Sequence, residues 1–206
     1  MTALRRLPTA QRQRQIAEAA LRIISELGVH RLTAAALAEQ VGIADGTIFR
    51  HFGNKEEIVD AAIDLFQEAM EGTFPPEEGD PLRRLGLFFV NRLALVRKNP
   101  EILQLAFNDR LAEAAGEAGA ERVSLLVKRS VAFVHQCLVE AQARGEVTRD
   151  TPAEMLTWMV VGVIRGSSTG EQGRTPGKGH HPGTSPEHAW KELELFLRST
   201  TKGANQ

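Results

Sequence analysis

The stretch from Val41 to Lys55, VGIADGTIFRHFGNK, decides how this chain is read. It lies between two amphipathic segments and is punctuated by Gly42, Gly46 and Gly53. Ile48 and Phe52 stand one helical turn apart and share a face turned to a small core. A short helix is therefore expected from about Asp45, closed by Gly53. Ahead of it, Thr33 caps another short helix whose inward residues are Leu37, Ala38 and Val41, and Gly42 ends that helix. Only Ile43 and Ala44 remain to join the two. Paired short helices across so tight a glycine-bearing turn make a helix-turn-helix unit, in which the later helix is the reader of DNA.

With Ile48 and Phe52 inward, Gly46 and Arg50 point the opposite way, flanked by Thr47 and Phe49. Gly46 lets backbone approach a duplex closely, and Thr47 can bond a phosphate oxygen. Phe49 can press on a thymine methyl or a sugar, and Arg50 can reach phosphate or guanine. Lys55 adds its charge to the N-terminus of the next helix, where free N–H groups and the positive dipole end already favour phosphate. Arg5 and Arg6, on an arm before the first helix, can follow the backbone or enter the minor groove. Asp45 would be repelled by phosphate unless it caps the helix, the favoured role, or accepts from a cytosine amino group. For His51 two roles stay open, phosphate contact or a structural place beside Phe52. Thr33 completes the candidate DNA-binding set. Arg12, Arg14 and Arg22 read as a solvated face.

Outward from this stretch, helical periodicity dominates and no alternating run of strand length competes, so the expected class is all-α with about nine helices. The first helix begins after Pro8 with Thr9 as its cap, buries Ile16, Ala20, Ile23, Ile24 and Leu27, and stops at Gly28. Asn54 and Glu57 have capping-box spacing for a helix from Lys55 toward Phe74, halted by Pro75 and Pro76. Asp80 with Pro81 opens a helix to about Lys98, and Asn99 with Pro100 opens a shorter one toward Asn108. The small-residue run AEAAGEAGAE leads into a long helix carrying Val123, Val127, Val131, Val134, Leu138 and Ala141, which Gly145 terminates. Thr151 and Pro152 open the helix that contains Met155–Ile164. Residues 167–185, rich in Gly, Pro, Ser and Thr, read as a long mobile loop. Ser185 and Pro186 start the last helix, with Trp190, Leu193 and Phe196 or Leu197 on one side. No internal repeat is present. The division expected is a DNA-binding domain over 1–54 and a ligand-binding and dimerisation domain over 55–206.

The chain has 206 residues, 42% apolar and 25% charged, ordinary for a globular protein with a full core. Its net charge of −1 hides an asymmetry: residues 1–55 carry 8 Lys and Arg against 4 Asp and Glu, the remainder 17 against 22. A basic head on an acidic body suits a polyanion-binding module. One cysteine, Cys137, excludes an internal disulfide and fits a reducing, cytoplasmic setting. No secretory pattern follows the N-terminal charges, and the longest apolar run, Met155–Ile164, is too short for a membrane span. His180, His181 and His188 lack a Cys or carboxylate set, so no metal is expected. GRTPGKG lacks both the preceding strand and the Ser or Thr of a phosphate loop. With no nucleophile elbow, dinucleotide fingerprint or other catalytic constellation, the chain is not read as an enzyme and no cofactor is assigned.

Residues 12–66, above all LTAAALAEQVGIADGTIFRHFGNKEEI, resemble the DNA-binding head of the TetR family of transcriptional regulators. The resemblance rests on Leu32-Thr33, Leu37-Ala38, Val41-Gly42-Ile43, Gly46-Thr47-Ile48-Phe49, His51-Phe52 and Asn54-Lys55-Glu56 in that order. GEVTRD at 145–150 and the closing ELFLR resemble family patterns more weakly. The resemblance implies an all-helical homodimer whose heads bind a palindromic operator on double-stranded DNA. It also implies a body that takes a small molecule and dimerises through its last two helices. Three departures stand out. Phe49 replaces a usual tyrosine, Ala44 replaces a capping serine or threonine, and Ala34, Ala35 and Ala36 stand where the family often has a polar or basic residue in the second helix. Affinity then leans on Arg50, Lys55 and the arm.

In the body, Phe88, Phe89 and Arg92 share one helix face and Met155, Trp158 and Met159 another. Together with Phe107, Phe133 and His135 they form the candidate effector-binding set. Gly162 and Gly166 have small-xxx-small spacing, which lets a helix approach closely, most simply across a dimer interface. The function expected is a repressor released from an inverted-repeat operator by a small-molecule effector. The alternatives are an effector-independent DNA-binding or architectural protein and, further off, an enzyme with a helical N-terminal module.

Overall fold

The computed structural model describes residues 8–107, 110–169 and 184–199, and every regular element among them is a helix, without a strand. The elements are α1 (Thr9–Leu27), a 3₁₀ turn (Val29–Arg31), α2 (Ala34–Val41), a 3₁₀ reading helix (Asp45–Arg50), α3 (Lys55–Glu71), α4 (Pro81–Lys98), α5 (Pro100–Phe107), α6 (Arg110–Ala143), α7 (Ala153–Thr169) and α8 (Pro186–Ser199). Arg5, Arg6, His180, His181 and most of the 167–185 loop lie outside the described residues; its first residues, 167–169, are not loop but the end of α7.

The chain forms two compact units. The first comprises residues 1–69 and 104–125, the second 70–103 and 126–206. The head expected over 1–54 thus belongs to a unit that also takes in most of α3 and a segment of α5 and α6. In that first unit α1 buries Ile16, Ala20, Ile23 and Ile24, α2 buries Leu37 and Ala38, and α3 adds Ile58, Ile63 and Phe66. Leu27, expected inside, is 51% exposed, because α1 closes there and Gly28 turns the chain away at φ 82°. The cap of α1 also differs from expectation: Thr9 is already helical, and Pro8 occupies the cap position without a side-chain bond.

The other caps follow the sequence signals. Thr33 Oγ1 accepts from the Ala36 N–H at 3.1 Å, and Asp80 Oδ1 from the Arg83 N–H at 2.8 Å. Each such cap contributes about 1 kcal/mol. Gly42 takes the left-handed conformation, φ 73° and ψ 40°, and its N–H returns to the Ala38 carbonyl. α6 is not one continuous rod, because Gly116, at φ 65° and ψ −172°, breaks it near its start.

The second unit is built on α4. Leu82, Leu85, Phe88, Phe89, Leu93 and Val96 pack with Val134, Cys137, Leu138 and Ala141 of α6, Leu156, Val160 and Ile164 of α7, and Leu193 and Leu197 of α8. Of the two residues left open for α8, Leu197 is the buried one and Phe196 is 51% exposed. Between α6 and α7, Arg149 donates to the Gln142 and Ala143 carbonyls at 2.8 and 2.9 Å, placing a cation where the α6 dipole is negative.

Candidate nucleic-acid interface

The reading helix is 3₁₀, not α, over Asp45–Arg50. Its backbone winds at about three residues per turn. The core anchors keep the expected sides: Ile48 is fully buried and Phe52 nearly so. Asp45, Gly46, Phe49 and Arg50 are exposed, with Phe49 at 54%, and Thr47 is half-buried. An open glycine, a large uncovered aromatic ring and an arginine therefore stand side by side on one short element. At Gly46 an added Cβ would meet nothing within 4 Å, so this backbone is accessible from outside.

Two devices hold the element in place. Ala44, at the cap position, offers no side-chain bond, and Asp45 Oδ1 instead accepts from the Gly46 N–H at 2.7 Å. That occupies the carboxylate locally, although Asp45 is the first residue of the helix and not its cap. From α1, the Gln13 amide donates to the His51 carbonyl at 2.9 Å, fixing the end of the reading helix. His51 itself is half-buried, and its Nδ1 is buried without a partner among the described residues. Sequence reasoning missed Gln13, since a polar residue on a helix carries no periodicity signal for a bond 38 positions away.

The start of α3 is built just as tightly. Asn54 Oδ1 accepts from the Glu57 N–H at 2.8 Å, while Glu57 reaches back to the Gly53 N–H, also at 2.8 Å. This is a capping box whose return bond falls one residue before the cap. Lys55, exposed at the first position of α3, donates to the Val29 carbonyl at 3.0 Å. An ammonium has three donors, so this contact fixes the side chain without exhausting it.

The body candidates divide. Phe88 lies with Phe74 and Phe133 at centroid distances of 5.1–5.4 Å, and Arg92 stacks beside them. Phe89 instead faces α8, 5.6 Å from Trp190. Met155, Trp158 and Met159 do not join either group: they are 56%, 62% and 36% exposed, on the side of α7 away from Leu156 and Val160. A Cβ at Gly162 on that helix would meet nothing, and Leu195 of α8 is exposed too. His135 faces Glu154 at 3.4 Å near the surface. Phe107 belongs to α5, and its side chain lies outside the described residues. Cys137 is buried, and burial pushes its thiol up to about 11, against a lowering by Arg84 and with a further raise from Glu140. Among the described residues no group of His, Cys, Asp and Glu could hold a metal ion, and no helix is long and apolar enough to cross a membrane.

A tight pair of helices with an exposed reading element, carried on an all-helical chain, defines a helix-turn-helix DNA-binding regulator. Residues 16–62 match the model of the bacterial regulatory proteins of the tetR family. It is similar to the nucleoid occlusion factor SlmA of Vibrio vulnificus, 26% identical over 162 residues that cover 77% of this chain and 82% of that one. The fold resembles the ketosteroid transcriptional regulator KstR2 of Mycobacterium tuberculosis, with TM-score 0.68 at 18% identity over 95% of both chains. It equally resembles AibR in complex with isovaleryl coenzyme A and operator DNA, with TM-score 0.68 at 18% identity over 91% of this chain and 98% of that one.

Proposed function

We propose that this protein is a homodimeric transcriptional repressor that holds an inverted-repeat operator in the bacterial cytoplasm and leaves it when a small organic effector enters the body. The observation that carries the reading is the exposed row Gly46, Phe49 and Arg50 on an element held rigid from behind by Ile48, Phe52 and Gln13. Arg50 and Phe49 enter the major groove, Thr47 and Lys55 take phosphates, Thr33 orients the second helix through its cap, and Asp45 holds the Gly46 N–H at the start of the reading helix. With its Nδ1 buried, His51 serves the packing. Met155, Trp158, Met159 and Leu195 supply an apolar surface suited to a second copy, and two-fold symmetry then sets two reading helices on successive grooves. Effector control is supported by the likeness to AibR, solved with an acyl coenzyme A and operator DNA. No step of catalysis is assigned to any residue.

A second reading, DNA binding without an effector, is favoured by the match to a nucleoid occlusion factor over most of the chain. Footprinting on the DNA upstream of the protein's own gene, with and without a panel of acyl thioesters and organic acids, decides between them. Protection of an inverted repeat that a compound relieves supports the repressor. Protection that no compound relieves supports the second reading, and no protected repeat refutes both.

A further inference from the structure

Two arginines are buried on α4, and they are treated differently. Arg84 pairs with Glu140 and donates to the Glu77 carbonyl at 2.7 Å. Arg92, only 5% exposed, has no carboxylate among the described ion pairs. Its Nε donates to Thr73 Oγ1 at 2.9 Å, and one Nη2 bond runs to the Met70 carbonyl at 3.1 Å. The remaining contacts are poor ones: Nη1 faces the Met70 sulfur at 3.0 Å, and Nη2 reaches Ser130 Oγ at 3.3 Å. A thioether is a weak acceptor and a hydroxyl is neutral. The cation lies over Phe88 at 4.8 Å and Phe74 at 5.7 Å, which offsets part of its desolvation. Burial lowers its pKa to about 10, with no carboxylate acting against that shift. At neutral pH it therefore stays charged, and a lone buried charge is costly to keep.

Phe74 and Phe88 lie against this guanidinium and Phe133 packs on both rings; Phe74 and Phe133 are only half-buried, so the cluster opens to the surface beside Ser130. Arg129 lies over the same Phe74 ring at 4.7 Å. We infer that Arg92 is the charge-reading residue of the effector site, and that the effector is an apolar organic acid. Its carboxylate takes the guanidinium edge now turned to Met70 Sδ and Ser130, and its acyl or aryl body lies against Phe74, Phe88 and Phe133. A carboxylate matches the planar fork of arginine with two charge-assisted bonds, which neither present acceptor provides. The inference rests on the ligand-responsive reading above and names the chemical class of its ligand.

The test is calorimetric titration of the full-length protein with octanoate, decanoate and 3-phenylpropionate, each against its matching primary alcohol. At least one acid should bind about tenfold or more tighter than its alcohol, the size of one charge-assisted contact. In Arg92→Met that preference should collapse to within about threefold. If the three acids fail to bind, bind no better than the alcohols, or keep their preference in the variant, the inference falls. Circular dichroism checks folding. Should Arg92→Met not fold, Arg92→Lys takes its place, since it keeps the charge and loses the fork; a preference cut threefold or more supports the inference and an unchanged one overturns it. Operator binding by the unliganded wild type, measured on the same preparation, separates the two failures: its loss condemns the regulator reading, while its presence without an acid preference condemns only this one.

Discussion

The ammonium of Lys55 is held by the carbonyl of Val29, 26 residues earlier, at 3.0 Å. One donor fixes where the charge stands, and the others remain for a phosphate. Lys55→Ala should weaken binding to every DNA sequence alike and reduce the slope of log affinity against log salt by about 0.9. Fluorescence anisotropy across a salt series checks this, and an unchanged slope removes Lys55 from the phosphate contacts.

Arg50 and Phe49 are exposed and support little of the core. Arg50→Ala and Phe49→Ala should therefore leave thermal unfolding nearly unchanged while costing about 1–3 kcal/mol of operator affinity each, with relaxed discrimination at one position of the half-site. Gel shifts on a set of single-base operator variants provide the measurement. Equal binding by variant and parent would place these residues outside the groove.

Much of the fold was legible because its signals are local. Thr33, Asp80, Asn54 and the glycines at 42 and 145 announce helix ends through bonds made within a few residues. The face of α7 was not legible. Leu156, Val160 and Ile164 repeat at helical spacing, and so do Met155, Trp158 and Met159; a helix apolar on both sides gives no rule for which one turns inward. The reading helix was found at its place but not as 3₁₀, since Ile48 and Phe52 suit either winding over so few residues. The gap in charge around Arg92 was hidden for another reason: whether a buried cation meets a carboxylate is a tertiary fact.

If the uncovered side of α7 is where two copies meet, Trp158→Arg should yield a folded monomer. Sedimentation velocity should show the mass halved, far-UV circular dichroism should be retained, and affinity for a two-half-site operator should fall at least tenfold while half-site binding persists. A variant that stays dimeric would move the interface elsewhere.

Trp190 lies so close over Gly86 that a Cβ there would stand 2.6 Å from its Nε1 and 2.7 Å from Cε2. The ring rests on Phe89, 5.6 Å away between centroids, so a Cβ would have to displace it from that contact. Alanine gains about 1 kcal/mol in helix propensity, but overpacking costs about 1–3 kcal/mol. Gly86→Ala should thus lower stability by about 1 kcal/mol in urea unfolding, and Gly86→Val by more. A stabilised Gly86→Ala would mean the indole moves aside freely.

Cys137 is a thiol kept neutral by burial. Its folded pKa is raised to about 11 from an ordinary 9.0, so the native state holds its proton where the unfolded chain releases it. Its contribution to stability is full below pH 9 and is lost as pH rises toward 11. Iodoacetamide at pH 8 should leave the native thiol unmodified and alkylate it in denaturant, as intact-mass spectrometry would show. Cys137→Ser should flatten the pH dependence in that window.

The reciprocal bonds among Gly53, Asn54 and Glu57 settle the azimuth of α3 before its first turn is complete. Each residue of an α-helix advances that azimuth by about 100°. A single insertion between Asn54 and Lys55 would therefore set the cap against the core: if the cap bonds hold, the ammonium swings a quarter-turn or more off its bearing and carries Ile58, Ile63 and Phe66 out of their packing with it. The length of the Gly53–Lys55 corner is thus a compass setting for the charge, as binding a part of the chain's specification as any side chain that touches a base.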